Sequence, residues 1–594
     1  MDYDDNKGKK DGEKWVYDSS VDSKGRVPLR ASTGVWKASF FIIIIEFAER
    51  LSFFGIATNL ITYLARVMQN DLKTAAKNSN YWTGVTTVMP LAGGYLADSH
   101  TGRFFVIVFS SFLYLMVCIH ISGLSLLTAT QFIPGLKSCN LPNCRGGGGR
   151  PPRRAHKAAF YLAIYLISLA TGGFKPCLES FGADQFDDSH REERKQKMSF
   201  FNWWNVSLCC GLLLGVTVVS YLAEYVGWGA AAAVLTAAMG ISTLVFCSGR
   251  PFFRYRFAAG SPLTPLLQVI VAAVAKRKLD HPPTPEMLYE VEKCKNPTTR
   301  LLSHTNSLRF LDKAAIMEDD VEASTSEKQS PWRLATVTQV EETKLVLNMV
   351  PIWLTSVMLG VCMSFGSTFF VKQSTAMDRH VGPHVEIPPA SIYALSAVGL
   401  LLSVIAYEKV LVPVLRKRTG NERGISILQR IGVGLVLNVV GMTIASVVER
   451  ERVMRSSRGA PSMSVFWLTP QYMVLSIGDG FSLVGLQEFF YHQVPDSMRS
   501  LGMAFYLSVL GVGSFLSSFL ISVVDRVTEK HGGSWFGADM DRSRVDKFYW
   551  LITAMTALDL CLYLFFAHRY TYKNVHGTLD DDDNADLQMT DSAE

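Results

Sequence analysis

The chain has 594 residues, of which 48% are hydrophobic and only 19% are charged, and its mean hydropathy is +0.18. This balance is more apolar than that of ordinary soluble proteins and favours a membrane protein over a large soluble enzyme. The net charge of +6 is too small and too dispersed for a nucleic-acid-binding protein. The GxxxxGK[ST], HExxH and paired CxxC motifs are absent, which argues against an ATP-driven pump and the usual zinc sites.

Residues 1–34 are charged and polar, without the apolar segment of a cleavable signal peptide, and are predicted to form a disordered cytosolic tail. Beyond them lie apolar runs of about 20 residues, the length that a helix needs to cross a bilayer. These runs predict twelve transmembrane helices, at 35–66, 80–97, 104–129, 156–180, 200–224, 228–248, 342–371, 388–408, 425–449, 465–492, 500–524 and 546–570.

A polar, proline-containing stretch separates the sixth predicted helix from the seventh. The chain is therefore predicted to be an all-α integral membrane protein with two six-helix halves, the layout of a major-facilitator fold. The predicted parts are the tail 1–34, the first half 35–249, a cytosolic linker 250–341, the second half 342–571 and an acidic cytosolic tail 572–594. Within the linker, the segment SPLTPLLQVIVAAVAKRK is typical of an amphipathic helix that lies beside the membrane.

The distribution of Lys and Arg among the loops favours cytosolic termini, because basic loops stay on that side of a membrane. No lipidation motif or retention signal decides between the plasma membrane and the vacuolar membrane. Cys139 and Cys144 lie in a loop rich in Gly, Pro and Arg, where a disulfide and two free thiols are equally compatible with the sequence. The expected partners are a small solute, protons and lipid, with the cytosolic loops as candidate targets of a regulatory kinase. No cofactor and no enzymatic activity are expected.

The first predicted helix contains three ionisable residues in the segment FIIIIEFAERLSFFG. Glu46 lies three residues before Glu49 and four before Arg50, so all three side chains share one helical face. Ionisable groups at bilayer depth are costly and normally mark a path for a substrate or an ion. Two carboxylates beside one guanidinium form a proton-responsive site, because protonation of a glutamate releases the arginine. The alternative is a buried ion-pair network that only fixes helix packing.

A second cation, Lys175, precedes Pro176 in the fourth predicted helix. Because an unpaired lysine at this depth is costly, Glu46 and Glu49 are its natural partners across a central cavity. The alternative is that the lysine side chain extends to the membrane surface.

The second half carries further candidates. Glu488 lies in an aromatic stretch of the tenth helix and is a candidate cavity residue, whereas Asp479, between two glycines, is predicted near a helix break. Trp353 lines the pocket or anchors the helix at the membrane surface. Glu341 and Lys344, at the start of the seventh helix, form gate salt bridges or belong to a solvated helix end.

Several longer motifs resemble those of the proton-dependent oligopeptide transporter family, and more closely its plant nitrate/peptide transporter branch. The resemblance extends from about residue 35 to residue 570. It rests on the ExxER motif of Glu46, Glu49 and Arg50 and on the segments MPLAGGYLADSHTGRF, TGGFKPC followed by FGADQFDD, FFNWWNVSLCCG, STAMDRHVGPHVEIPPAS and GLQEFFYHQVPDSMRSLG.

This resemblance implies a major-facilitator fold with alternating access to a central cavity, driven by the proton gradient. In relatives the ExxER carboxylates take part in proton coupling, and the lysine matched by Lys175 couples to them. The glutamate matched by Glu488 helps to form the substrate site. Asp98 and Arg103 match the short loop between helices two and three, where they would act as a gating latch.

Two departures from the family pattern bear on the substrate. Peptide-transporting relatives commonly carry a Tyr pair after ExxER and an Arg soon afterwards, but this chain has Phe53, Phe54 and Ala57. Some nitrate-transporting relatives have a His in the seventh helix, where this chain has Met363, and a thioether cannot replace an imidazolium. Phe53, Phe54 and Met363 are therefore candidate substrate contacts, together with Arg50.

The leading hypothesis is a proton-coupled symporter of a small anionic or zwitterionic solute, with nitrate first. The alternatives are a transporter of di- or tripeptides, hormones or specialised metabolites within the same family, and a membrane sensor that keeps the fold without transporting.

Overall fold

The computed structural model describes most of the chain. The described ranges are 14–18, 20–116, 154–187, 190–256, 263–279, 288–289, 304–317, 330–382, 385–419, 425–494, 499–530, 533–537 and 540–570. Cys139 and Cys144 and the acidic tail 572–594 lie outside them, so the predictions for these residues are not addressed by the structure.

Twelve principal helices follow one another along the chain. They are α1 (Val35–Arg66), α2 (Leu72–Leu96), α3 (Arg103–Met116), α4 (Arg154–Ala183), α5 (Arg191–Leu214), α6 (Trp228–Ser248), α7 (Val337–Ser367), α8 (Ala394–Ala406), α9 (Ile427–Ser457), α10 (Thr469–Gln493), α11 (Arg499–Lys530) and α12 (Val545–Arg569). The fold is all-α, as predicted, and its twelve principal helices follow the order that the sequence predicts. Eight helices within the described ranges are long and apolar enough to cross a membrane.

Shorter elements extend or join these helices. A linker helix spans Leu263–Ala275, where the sequence predicts an amphipathic helix, and a short helix, Phe369–Thr375, follows α7. Short π-helical segments at Gly215–Val219 and Leu222–Val226 continue α5. A third π-helical segment, Tyr407–Leu411, joins α8 to a short helix at Val412–Thr419. The strands β1 (His380–Val381) and β2 (Val385–Glu386) pair antiparallel, with His380 opposite Glu386 and Val381 opposite Val385.

The second helix begins at Leu72, eight residues before the predicted start at residue 80. Its first two turns are mostly polar, which is why hydropathy alone missed them. Leu72, Ala75 and Ala76 in these turns are buried, Lys73 pairs with Asp525, and Asn78 donates a hydrogen bond to Tyr161. A narrow buried face and tertiary partners thus accompany the extension of the helix beyond its apolar run.

The contact between α2 and α4 depends on glycines. A Cβ atom at Gly93 would lie 2.2 Å from the carbonyl oxygen of Gly172, closer than nonbonded atoms approach. A little further along the same contact, the Trp82 indole donates to the carbonyl of Ile164 at 2.8 Å, and Thr86 and Ser168 share a hydrogen bond of 2.7 Å. The two backbones approach closely only because no side chain separates them.

The Gly93→Val variant is therefore expected to destabilise the folded protein by about 1–3 kcal/mol, the usual effect of overpacking a close contact. Thermal unfolding of the purified protein measures this change. The control is Gly240→Ala on α6, whose added Cβ would meet Leu115 at an ordinary 3.5 Å. Equal unfolding temperatures for Gly93→Val and Gly240→Ala would show that the α2–α4 contact is looser than the structure indicates.

The chain divides into two compact units that do not coincide with the two six-helix halves. The first comprises Met1–Gly260, Thr355–Leu486 and Tyr506–Tyr563, and the second comprises Ser261–Leu354, Gln487–Phe505 and Leu564–Glu594. In the second unit, the linker helix packs on residues 308–316 and on the start of α7. This small core consists of Val269, Ala272, Ala273, Leu288, Leu311, Ala314, Ala315, Ala335 and Val340.

The described part of the N-terminal segment belongs to the first unit and is packed, although the sequence predicts disorder for residues 1–34. Arg30 pairs with Asp187 at 2.9 Å and also with Glu193. The fully buried Arg254 donates to Glu193 at 2.7 Å and to the carbonyl of Thr33 at 3.0 Å. The polar composition suggested a solvated tail because these partners come from segments more than 150 residues away.

Candidate functional site

A group of ionisable side chains is buried on α1, as the ExxER spacing predicts. Glu46 and Glu49 are 2% and 1% exposed. The Nε atom of Arg50 donates to Oε1 of Glu46 at 2.6 Å and lies 3.5 Å from Oε2 of Glu49. One guanidinium thus faces two carboxylates on one helical face, which is the arrangement expected of a proton-responsive site.

The two glutamates differ in their hydrogen bonding. Glu46 accepts the bond from Arg50, whereas neither carboxylate oxygen of Glu49 has a hydrogen-bond partner among the described residues. A buried carboxylate without hydrogen bonds is costly, so the Glu49 oxygens are available to accept hydrogen bonds from a donor group. The group therefore contains one carboxylate that is hydrogen-bonded to Arg50 and one that faces Arg50 at 3.5 Å without a hydrogen bond among the described residues.

Lys175, on α4, does not form the predicted ion pair. Its Nζ atom lies 4.0 Å from the centre of the Phe53 ring, and no carboxylate of the described residues lies within 4.0 Å of it. Glu46, Glu49 and Arg50 are nevertheless its electrostatic neighbours. The prediction missed the ring because it considered only opposite charges as partners, whereas an aromatic face also attracts an ammonium group.

Aromatic packing holds the ring that Lys175 contacts. Phe53 stacks on Trp82 with 5.8 Å between ring centres and meets Phe54 edge to face at 5.1 Å. The departure from the family's Tyr pair therefore has a structural counterpart, because an apolar ring stands where a relative would offer a hydroxyl. Ala57, one turn beyond Phe53, is half-buried.

Two residues that the sequence reasoning did not single out belong to the same electrostatic neighbourhood. Glu179 lies one turn after Lys175 on α4 and interacts electrostatically with Arg50 and Glu46. Tyr506, on α11, interacts with Glu179 and Arg50 and also with Asp479. The spacing of four between Lys175 and Glu179 could have revealed Glu179, but no local pattern points to Tyr506.

The remaining predicted substrate residues are divided between the two units. Met363 is half-buried on the part of α7 that belongs to the first unit, next to Cys362, whose sulfur lies 3.6 Å from the Thr556 hydroxyl. Trp353 and Glu488 are half-buried residues of the second unit. Their roles in substrate binding remain predictions.

The predicted latch residue Arg103 pairs with Asp184, which follows α4. Asp184 also faces Arg256 at 3.6 Å, so two arginines share one carboxylate. Arg256 in turn pairs with Asp18 of the N-terminal segment at 2.8 Å. The side chain of Asp98 lies outside the described part of the structure.

Glu341 and Lys344 are not solvated, because both side chains are buried in the second unit. Lys344 Nζ lies 2.8 Å from Glu341 and 2.7 Å from Asp312 of the linker, and Asp312 contacts His304 at 3.1 Å. The ligand atoms of His304, Asp312 and Glu341 lie within 4.8 Å of one another, the spacing of a metal cluster. The Lys344 ammonium lies within 2.8 Å of both carboxylates and offsets one of their two negative charges. The gating role predicted for Glu341 and Lys344 remains a prediction.

Helices α2 and α11, from different halves, meet within the first unit. Lys73 pairs with Asp525 at 2.9 Å, and Asn80 donates to the Ser517 hydroxyl at 3.1 Å. Both contacts lie toward the start of α2 and the later part of α11. The two halves are thus joined by side-chain bonds at this end of the helices.

Twelve helices with a buried group of ionisable side chains define the class of this protein, a multi-pass membrane transporter of the major-facilitator fold. Among solved structures, the chain is similar to an auto-inhibited POT family peptide transporter, with a TM-score of 0.67 and 19% identity over 91% of this chain and 98% of that chain.

Sequence comparison identifies the family of transporters to which the chain belongs. Residues 104–539 match the POT family (PTR2). The chain is 56% identical to Protein NRT1/PTR FAMILY 5.6 of Arabidopsis thaliana, covering 95% of this chain and 96% of that protein. It is 53% identical to Protein NRT1/PTR FAMILY 5.7 of the same plant, covering 96% and 94%. The chain belongs to the POT family of membrane transporters, in agreement with the resemblance found in its motifs.

Proposed function

We propose that this protein is a proton-coupled symporter of a small anionic or zwitterionic solute, with nitrate as the first candidate. The observation that carries the proposal is the buried group on α1, in which the Arg50 guanidinium forms ion pairs with both Glu46 and Glu49. Protonation of either carboxylate weakens its ion pair with the Arg50 guanidinium. A small anion can then bind the guanidinium in place of that carboxylate.

The proposed cycle uses four residues. With the carboxylates ionised, Arg50 is held by Glu46, and its charge is not available to a solute. Proton binding at Glu49, which has no hydrogen bond of its own in the described structure, and at Glu46 leaves Arg50 and Lys175 as an uncompensated pair of cations. A bound monovalent anion offsets one of these two positive charges, which favours closure around protons and solute together and couples their movement.

The aromatic rings beside this site favour a solute other than a peptide. Phe53 and Phe54 offer rings and no hydroxyl groups, so they provide few polar contacts for the backbone of a peptide. The similar solved protein is a peptide transporter by name. Di- and tripeptides are therefore the second candidate class, followed by hormones and specialised metabolites. Uptake of nitrate, chloride, dipeptides and plant hormones into liposomes containing the purified protein, at acidic and neutral external pH, tests these classes.

The contact between α2 and α11 is proposed as the outer gate, which would place the start of α2 on the side opposite the cytosolic termini. In this scheme the protein resides in the plasma membrane or the vacuolar membrane, and the linker lies in the cytosol.

Reversal of one gate charge is expected to open this gate. The Lys73→Asp variant places a second carboxylate beside Asp525. The double variant, Lys73→Asp with Asp525→Lys, restores an ion pair with the two charges exchanged. Because a partly exposed pair contributes about 0.2–1 kcal/mol, the single variant should shift the open population a few-fold at most. Thiol labelling measures the opening, with a cysteine introduced at Ser518, which lies across the contact from the carbonyl of Lys77, in a background without the exposed Cys210 and Cys561. Labelling that is equal in the single and the double variant would contradict the proposed gate.

A further inference from the structure

A cavity of about 300 Å³ lies beside the N-terminal segment, and the ionisable residues of α1 take no part in its lining. Its walls come from the start of α3, the end of α4, the residues that follow α6 and residues 21–25 of the N-terminal segment. Because α3 begins here and α6 ends here, the cavity lies where these two helices are predicted to reach the membrane surface. The predicted orientation places this surface on the cytosolic side.

The N-terminal part of the wall is a formed turn. Val21 and Tyr255 exchange two backbone hydrogen bonds of 2.9 Å, which fix the turn to the segment after α6. The Asp22 carboxylate accepts hydrogen bonds from the backbone nitrogens of Lys24 and Arg26. It also pairs with the Arg26 guanidinium at 3.0 Å, so the charge of Asp22 is already balanced within the turn.

The rest of the wall is cationic. Three guanidinium groups line the cavity, those of Arg103, Arg250 and Arg256. Asp184 pairs with Arg103 and faces Arg256 at 3.6 Å. Asp18 pairs with Arg256 at 2.8 Å. Arg250 is exposed and has no carboxylate partner among the described residues. Two carboxylates thus face three guanidinium groups, and the excess positive charge suits an anion.

An exposed apolar stripe begins at the cavity and follows α3. Phe105, which lines the cavity, is 68% exposed. Phe109, Phe112 and Met116 continue the same helical face, and each is more than half exposed. Exposed apolar surface of this kind marks contact with a membrane. The cationic cavity at the membrane surface therefore continues into an apolar face that acyl chains can cover.

An anionic phospholipid matches both features together. An arginine binds phosphate oxygens through two parallel N–H donors, so Arg250 and Arg256 suit a headgroup phosphate. Phosphatidylcholine carries a cation of its own in the headgroup, and the excess positive charge of the cavity disfavours it. A soluble phosphate compound would use the arginines but would leave the stripe without a role.

We propose that this cavity binds the headgroup phosphate of an anionic phospholipid from the adjacent membrane leaflet, with an acyl chain along Phe105, Phe109 and Phe112. The bound lipid would contact α3, the segment after α6 and the N-terminal turn together, and would thus join three segments that are distant in sequence. The proposal depends neither on the identity of the transported solute nor on proton coupling.

The test measures lipid binding to the full-length purified protein in detergent by native mass spectrometry. Dioleoylphosphatidic acid and dioleoylphosphatidylcholine, which share acyl chains and differ in headgroup, are added in equal amounts. The wild type should prefer phosphatidic acid by at least about fivefold. Arg250→Gln removes a charged donor and should weaken the binding of phosphatidic acid by about fivefold or more. The matched control is Arg194→Gln, which removes an exposed arginine of α5 outside the cavity and should bind as the wild type does.

Three outcomes would overturn the proposal. The first is equal binding of the two lipids by the wild type, and the second is binding of phosphatidic acid that is the same in Arg250→Gln and Arg194→Gln. The third is displacement of the lipid by an equal concentration of glycerol 3-phosphate, which has no acyl chains and would assign the cavity to a soluble phosphate compound. If Arg250→Gln is not monodisperse, Arg256→Gln takes its place with the same expected and contradicting results.

Discussion

The Glu46→Gln variant is expected to lose acid-stimulated uptake. Glutamine preserves the shape of the side chain and still accepts a hydrogen bond from Arg50, but it carries no charge and cannot exchange a proton. A hydrogen bond to a charged group contributes about 1.5–3 kcal/mol, so the variant should reduce uptake at acidic pH by roughly tenfold or more. Uptake measured across a range of external pH should show a flat profile.

The control for this variant is Glu451→Gln, in which the removed carboxylate lies on an exposed part of α9 and pairs with Arg455 at 2.8 Å. Exposed pairs contribute little, so its pH profile should match that of the wild type. Acid-stimulated uptake that survives in Glu46→Gln would remove the α1 group from the coupling mechanism. In that case the group would act only as a buried ion-pair network that fixes helix packing.

The Arg254→Met variant is expected to cause the largest loss of stability. Arg254 is fully buried and bonds Glu193 and the carbonyl of Thr33, so its removal leaves a buried carboxylate short of a partner. Breaking such a buried pair usually costs about 3–5 kcal/mol. Thermal unfolding of the purified protein should therefore begin at a clearly lower temperature. The N-terminal segment, released at Thr33, should be cleaved more rapidly by a protease.

The neighbouring Arg256 provides a control because its side chain is 39% exposed while it pairs with Asp18 and Asp184. Arg256→Met should change the free energy of unfolding by about 1 kcal/mol or less. If both variants unfold at the same temperature as the wild type, the buried contacts around residues 30–33 do not contribute to the stability of the fold.

Hydropathy was sufficient to predict most of the helices, because a bilayer imposes one length on every apolar segment. The sixth helix begins and ends at the predicted residues, Trp228 and Ser248. The prediction was wrong where polar residues depend on distant partners. The first turns of α2 contact Asp525 of α11, and Thr33 of the N-terminal segment contacts the buried Arg254, and neither partner is evident from the local sequence.

The site residues show the same difference between contacts within one helix, which the sequence predicts, and contacts between helices, which it does not. The Glu46–Arg50 bond follows from the geometry of a single helix, so the sequence alone predicted it. The contact of Lys175 with Phe53 depends on how α1 and α4 approach each other, and no spacing rule gives that distance. The helix break predicted near Asp479 is absent, because Thr469–Gln493 forms one continuous helix.

The most direct test of proton-coupled transport uses liposomes that contain the purified protein and a pH-sensitive dye. An inward proton gradient is imposed, and nitrate, chloride, dipeptides and plant hormones are added in turn. We expect one of these solutes, nitrate first, to accumulate against its gradient and to acidify the lumen as it enters, and we expect Glu46→Gln to do neither. Accumulation without any change in lumenal pH, or acidification that persists in Glu46→Gln, would contradict this account.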